Sequence, residues 1–416
     1  MADTFYYTLP NGVQVVHRTT PSPVVYVGVM VGAGTRHELP QQNGIAHYIE
    51  HCVFKGTQHY SARQIINRIE SIGGEINAYT TKEETTFYAA TLQQHWRTTL
   101  HVIADMVLHP TFPKNETNKE LTVIYDEIEC YNDSPSELIY DDFESILYQG
   151  HSLAMPILGT KKTLRRIAHS SDIPLTWMHR HYLPERTVLF VLGNVPTQQV
   201  LKYAQQELGD FPYRADTLPL HNPMEPNNPP APYAPQNVSY RRHTHQTHLI
   251  IGARAYPIAH PKQNAMFLLN NILGGGSMSS LLNLKLREQK GLVYNIESQY
   301  TPLSDTGYWN IYLACEPHNK ELCLQLCLQQ LKQLCDNTLS TSRFQRAVKQ
   351  LQGQLAIAAE NQENNALSMA KQMLYLHHTT TWQETFHKIQ QITPILLQET
   401  AKEVYNESKI SILQYD

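Results

Sequence analysis

No stretch of this 416-residue chain is apolar for long enough to cross a bilayer as a helix. Charge of one sign is also scarce. Thirty-three Lys and Arg stand against 37 Asp and Glu, a net charge of −4, so neither a nucleic acid nor a membrane surface is an expected partner. Six cysteines spread over so long a chain exclude a disulfide-dense secreted framework. Cys323 and Cys327 lie one helical turn apart and Cys335 two turns further on. They lack the Cys-x-x-Cys turn of a metal knuckle, which leaves helix packing as their expected role. Gly274, Gly275 and Gly276 are not followed by Lys-Ser/Thr, so a phosphate-binding P-loop is excluded. The opening residues, MADTFYYTLPNG, show no basic stretch leading into an apolar one and no Arg/Ser-rich leader. A cytoplasmic location is expected from them.

What is present begins with length and apolar content. A chain of 416 residues exceeds one ordinary core, so two domains are expected; 41% apolar and 17% charged residues fit a soluble globular protein. Residues 211–236 hold eight of the 24 prolines and no periodic apolar pattern, so they read as an extended linker. The expected division is 1–213, a linker over 214–236, and 237–416. The two parts resemble each other. Each ends in a helix, a Tyr and a buried strand, and Pro174 and Pro394, Tyr182 and Tyr405, Val188 and Ile410 are all offset by roughly 220 residues, the sign of a duplicated domain. VQVVH and PVVYVGVMVGAG read as strands. SARQIINRIESIGG reads as a helix capped by Ser61, with a stripe of Ile65, Ile66, Ile69 and Ile72 and a stop at Gly73-Gly74. Strands and helices in blocks, with hairpins, predict an α+β fold.

The chemistry concentrates in GIAHYIEHCVFKGT, residues 44–57. Read as a helix from near Asn43 to Gly56, it places His47 and His51 four apart on one face, where two imidazoles can share a metal ion. Glu50, three after His47, falls on the same side and can take a proton from water bound to that ion. His-x-x-Glu-His is the inverted zinc-protease motif, and such chemistry needs a third protein ligand plus an open coordination position. KELTVIYDEIECYNDSPSE offers candidates: Glu120 and Glu127 are two helical turns apart on one face, but spacing alone does not separate Glu127 from Asp126 or Glu129.

The pattern HYIEH, with Glu127 following 76 positions after His51, resembles the pitrilysin/insulinase family of zinc endopeptidases, the inverzincins. The closest likeness is to its short two-domain, processing-peptidase-like bacterial members. Four further blocks match in order along essentially the whole chain: GTRHELPQQNGIAHYIEHCVFKGT, GGEINAYTTKEETTFYAATL, GHSLAMPILGT and GGGSMSSLLNLKLREQKGLVYNIESQY. The resemblance implies one zinc per chain held by His47, His51 and Glu127, with Glu50 as general base and Glu120 supporting the ligands. On this basis alone Asp126 and Glu129 are set aside. It implies that Asn77, Ala78, Tyr79, Thr80 and Thr81 form a substrate-facing edge strand, to which an extended peptide adds by backbone pairing. Arg287 and Tyr294 would contact the substrate near the scissile carbonyl, and Glu137 and Asp141 would read a basic residue beside the cut.

The resemblance also implies two homologous α/β-sandwich domains, each a mostly antiparallel sheet with helices packed on it. Long family members close four such domains around a chamber, so this chain would be half of a clamshell. A homodimer is then expected, with Arg287 and Tyr294 of one chain serving the zinc of the other; a heterodimer with a homologous chain is the variant. The implied activity is zinc-dependent cleavage of unfolded peptides. The alternative is a catalytically silent structural or peptide-binding subunit, against which the intact motif speaks. His243, His245 and His248 could suggest a second metal site, but in a strand His248 points away from the other two.

Overall fold

A computed structural model describes residues 4–211, 230–242 and 244–416. Most of the proline-rich linker read at 214–236, and His243, lie outside the described residues. Among the described residues one six-stranded and one five-stranded sheet are built from β1 (Thr4–Thr8), β2 (Gln14–Arg18), β3 (Val24–Val31), β4 (Glu75–Thr80), β5 (Thr85–Leu92), β6 (Thr187–Leu192), β7 (Asn237–Tyr240), β8 (Thr247–Arg254), β9 (Val293–Pro302), β10 (Gly307–Cys315) and β11 (Ser411–Tyr415). The first sheet runs β1-β2-β6-β3-β5-β4 and the second β7-β11-β8-β10-β9. Beyond β1 the two orders are the same, strand for strand. In each, the returning strand pairs parallel to an early one, β2 with β6 and β7 with β11, and every other pairing is antiparallel. The duplication legible as a 220-residue offset is thus also a duplication of topology, and the fold is α+β with two like domains.

The all-apolar run of β6 is explained by its position as a central strand covered on both faces, since alternate side chains point opposite ways. Leu189 and Val191 join the core that includes Ile45, Ile49, Leu100 and Ile103. Val188, Phe190 and Leu192 face the other way, onto Ala366, Met369, Ala370, Met373 and Leu374 of the Gln362–Leu376 helix. Gly28 of β3 lies under Phe190: a Cβ there would come within 2.2 Å of the ring. The second sheet repeats the arrangement. Leu249, Ile251 and Ala253 of β8 enter one core, while Ile250 packs with Ile139, Phe143, Ile146 and Leu147 of a helix drawn from the first half of the chain, Pro135–Leu147.

The compact units therefore differ from the contiguous stretches 1–213 and 237–416. One comprises Met1–Glu129, Met155–Pro223 and Ala359–Thr380; the other comprises Cys130–Ala154, Met224–Ala358 and Thr381–Asp416. Each takes a helix from the opposite half of the sequence.

In Ala62–Glu70 the side chain of Gln64 accepts the Ser61 backbone N–H, which closes the first turn. Ile65 and Ile69 are buried as the stripe predicts, but Ile66 is exposed. At 100° per residue it is turned away from Ile65, and the core is reached by the i, i+4 pair alone. Cys323 and Cys327 are buried helix residues, as expected. Among the described residues no helix is long and apolar enough to cross a membrane.

Candidate metal centre

The helix α1 (Ile45–Cys52) places Ile45, Ala46, Tyr48, Ile49 and Cys52 in the hydrophobic core, while His47 is buried outside that cluster. That fixes its rotation and leaves His47, Glu50 and His51 on the face away from the core. Its start is unusual. The N-cap is Gly44, in the left-handed region at φ 91°, and a Cβ there would lie 2.8 Å from the Leu158 carbonyl oxygen. With no side chain at the cap, the buried carboxylate of Glu38 does the capping from outside the helix. It accepts the N–H groups of Gly44 at 2.7 Å and Ala46 at 2.9 Å, and the Asn43 amide at 2.9 Å. Burial pushes the Glu38 carboxyl up to about 7, against the opposing pull of these three donors.

A second helix, α2 (Lys114–Asn132), buries Ile124 and Ile128 and so turns Glu120 and Glu127 towards α1. Glu127 Oε2 lies 3.7 Å from His47 Nε2 and 3.5 Å from His51 Nε2. Among the described residues these three form the one His/Cys/Asp/Glu group whose donor atoms all fall within 4.8 Å of one another. A tetrahedral ion about 2.0–2.2 Å from each donor holds neighbouring donors about 3.3–3.6 Å apart, so the spacing fits zinc with little movement. Glu129 instead pairs with Lys161, and Asp126 is exposed outside the group. Geometry thus separates the three acids where spacing did not.

Protonation states suit ligation. Burial, and then the neighbouring His51, depress the His47 imidazole to about 3, so it is neutral and keeps a lone pair. His51 Nδ1 is 2.9 Å from Glu120 Oε1, and the other Glu120 oxygen is 2.6 Å from Lys55 Nζ. Donation from Nδ1–H to Glu120 leaves Nε2 as the free donor atom. Lys55, one turn after His51, was readable from the helix spacing but carried no motif.

Glu50 stays outside the ligand group. Burial raises its pKa, opposed by a hydrogen bond from Thr80 and by His51, and reinforced by Glu127. Thr80 ends β4, which carries Asn77, Ala78 and Tyr79 and forms the outer edge of the first sheet, paired on one side only, with β5. The structure therefore brings His47, Glu50, His51, Glu120, Glu127 and the β4 edge into one constellation.

The remaining candidates belong to the second compact unit. Arg287 sits in a π-helical turn, Asn283–Glu288, of a kind often found at functional positions. Its guanidinium lies over the ring of Tyr294, 5.8 Å from the centroid, and that ring is 85% exposed at the start of the edge strand β9. Glu137 and Asp141 share the Pro135–Leu147 helix. The Tyr131 hydroxyl is raised by burial and by the carboxylates of Asp141, Glu144 and Glu137, which places these acids together. His248 Nδ1 is 2.9 Å from the Tyr312 hydroxyl, and neither it nor His245 belongs to a metal-holding group among the described residues.

Residues 14–161 match the profile of the insulinase family, peptidase family M16, and residues 175–351 match that of the M16 inactive domain. The chain belongs to peptidase family M16. Its M16 relatives include an uncharacterized zinc protease of Bacillus subtilis, YmxG, 32% identical over 402 residues that cover 96% of this chain and 95% of that one. Another, from Streptomyces coelicolor, is 30% identical over 400 residues, 95% of this chain and 86% of its own. Among solved structures, a protease from Helicobacter pylori superposes over the whole of both chains with a TM-score of 0.91 at 19% identity. An M16 inactive domain from Pseudomonas fluorescens does so with a TM-score of 0.89 at 18% identity, over 99% of this chain and 97% of that one. The structural likenesses show that the M16 fold is shared. The inactive-domain match covers most of the second half, which contributes no residue to the metal group.

Proposed function

We propose that this M16 chain is a zinc-dependent endopeptidase acting on extended, unfolded peptides. The observation that carries the reading is the convergence of His47 Nε2, His51 Nε2 and Glu127 Oε2 on one point, with the Glu50 carboxyl beside them yet outside the group. A zinc ion held there supplies a Lewis acid that acidifies water and polarises the scissile carbonyl. The chain's own residues do the rest. The edge of β4 pairs with the backbone of the substrate and sets its register. Glu50, its pKa raised by burial, takes a proton from the attacking water and delivers it to the leaving amine. Glu120 holds the His51 tautomer.

A complete chamber on this reading uses two chains, as a homodimer, with Arg287 and Tyr294 of one protomer stabilising the developing oxyanion at the zinc of its partner. Glu137 and Asp141 serve a basic substrate residue. The decisive test is Glu50→Gln. Cleavage of a quenched peptide falls about 10²–10⁴-fold, while metal analysis still finds one zinc per chain. Undiminished turnover in that variant overturns the proposal.

A further inference from the structure

The turn between β4 and β5, Thr81-Lys82-Glu83-Glu84, is built in an uncommon way. Hairpin tips are usually exposed, yet Lys82, Glu83 and Glu84 are all buried. Each is held by a separate partner. Lys82 Nζ donates to the Met155 carbonyl at 2.7 Å. Glu83 pairs with Arg36 at 2.7 Å, both side chains almost wholly out of solvent. Glu84 takes Lys371 Nζ on Oε1 at 2.8 Å and the Tyr375 hydroxyl on Oε2. Thr81 closes the turn itself: its N–H donates to the Glu84 carbonyl and its hydroxyl accepts the N–H groups of Glu83 and Glu84.

Lys371 and Tyr375 are four apart on the Gln362–Leu376 helix and so share one face. The same helix reaches β5 at a second point, where the Tyr88 hydroxyl donates to Glu363 at 2.6 Å, and its apolar face covers Val188 and Phe190. Burial and Glu84 hold the Tyr375 hydroxyl well above its usual range, which keeps it a donor. This helix lies beyond both family matches, which end at residue 351, and nothing in its sequence marks it as part of a site.

We infer that Lys371 and Tyr375 are positioning residues for the reaction. Through Glu84 they clamp the β4–β5 turn, and the turn fixes the end of β4, the edge strand that packs beside the helix carrying Glu50 and that takes the substrate. Only the Glu84 end of the pair is buried, Lys371 being partly exposed, and such a pair is weak evidence for stability because desolvation and solvent screening offset most of its attraction. What it supplies here is a single permitted position for the turn. The inference rests on the peptidase reading above, with Glu50 as the base.

The test uses the full chain with zinc bound. Lys371→Met and Tyr375→Phe are expected to lower kcat about 10²-fold with KM changed less than about threefold, since the group displaced is the base rather than the bound backbone. Zinc stays at one per chain. Amide exchange of residues 77–81 is expected to quicken about tenfold relative to the rest of the unit. Lys371→Arg keeps the cation and restores most of kcat. Should Lys371→Met fail to fold, the pair Glu84→Gln with Lys371→Met removes both charges. It is expected to regain the wild-type unfolding midpoint while kcat remains low; a purely structural role predicts that kcat returns with stability. Unchanged kcat in a folded variant, or exchange that quickens evenly across the unit, overturns the inference. If the peptidase reading itself falls at Glu50→Gln, the local exchange at residues 77–81 still decides the clamp.

Discussion

Glu120 is the residue at which supporting and ligating roles separate. It touches His51 and Lys55 but lies outside the metal group. Glu120→Gln is therefore expected to weaken zinc affinity about 10–100-fold, measured by competition with a chelator, without removing a ligand. A second expectation at this scale concerns acid. His181 is buried against Trp177 and His37, and burial, with Arg186 and Arg180, depresses it to about 3. Its folded value lies below the unfolded 6.5, so the unfolded chain binds the proton that the folded one refuses. Stability from this group is complete above pH 6.5 and is lost as pH falls towards 3, with a limiting slope of about 1.4 kcal/mol per pH unit for one proton. Denaturant melts between pH 7 and 4 should show a shallower decline in His181→Leu. His47, Glu50 and His51 were legible because their chemistry is local, confined to one and a half helical turns. Glu38, Lys371 and Tyr375 were not. Lys371 meets Glu84 across 287 positions, and no sequence period encodes such a meeting.

The helix α1 was legible as an element, with His47 and His51 on one face, because apolar spacing fixes rotation. How it begins was not, because Gly44 caps nothing and the capping oxygen sits at Glu38. Gly44→Ala should impose a strained φ and push on the Leu158 carbonyl. It is expected to destabilise the fold by about 1–3 kcal/mol in denaturant titration and to weaken zinc binding, since the helix start moves with the cap. Strands rich in Val and Ile were equally plain in the sequence. The order of the strands followed only once the returning strands β6 and β11 were seen to lie between early ones. The stripe Ile65, Ile66, Ile69 and Ile72 is two residues wider than the docked face of Ala62–Glu70: Ile66 is exposed and Ile72 lies past the helix end and only half-buried, since a short helix needs only Ile65 and Ile69 to dock.

For the whole molecule, the proposed clamshell makes a quantitative claim. Glu50→Gln and Arg287→Ala are each expected to be inactive alone. If Arg287 serves the partner's zinc, half of the randomly mixed dimers hold one intact site, and the mixture recovers about a quarter of wild-type turnover. If Arg287 serves its own chain, mixing recovers nothing. The peptide assay on mixed and unmixed samples separates the two. The duplication was visible in the sequence as an offset. The trade of helices between halves was not, because the Pro135–Leu147 and Gln362–Leu376 helices carry ordinary amphipathic patterns that do not say which sheet they cover.

That trade sets an order of events during synthesis. The first sheet is complete in backbone once Leu192 has been made, but the residues that cover Val188 and Phe190 end at Leu374. Roughly 180 residues separate the two, which at about 5–20 residues per second leaves that apolar face bare for about 10–40 s on the ribosome. A nascent chain stalled in that interval is the species a holdase chaperone should find most sticky.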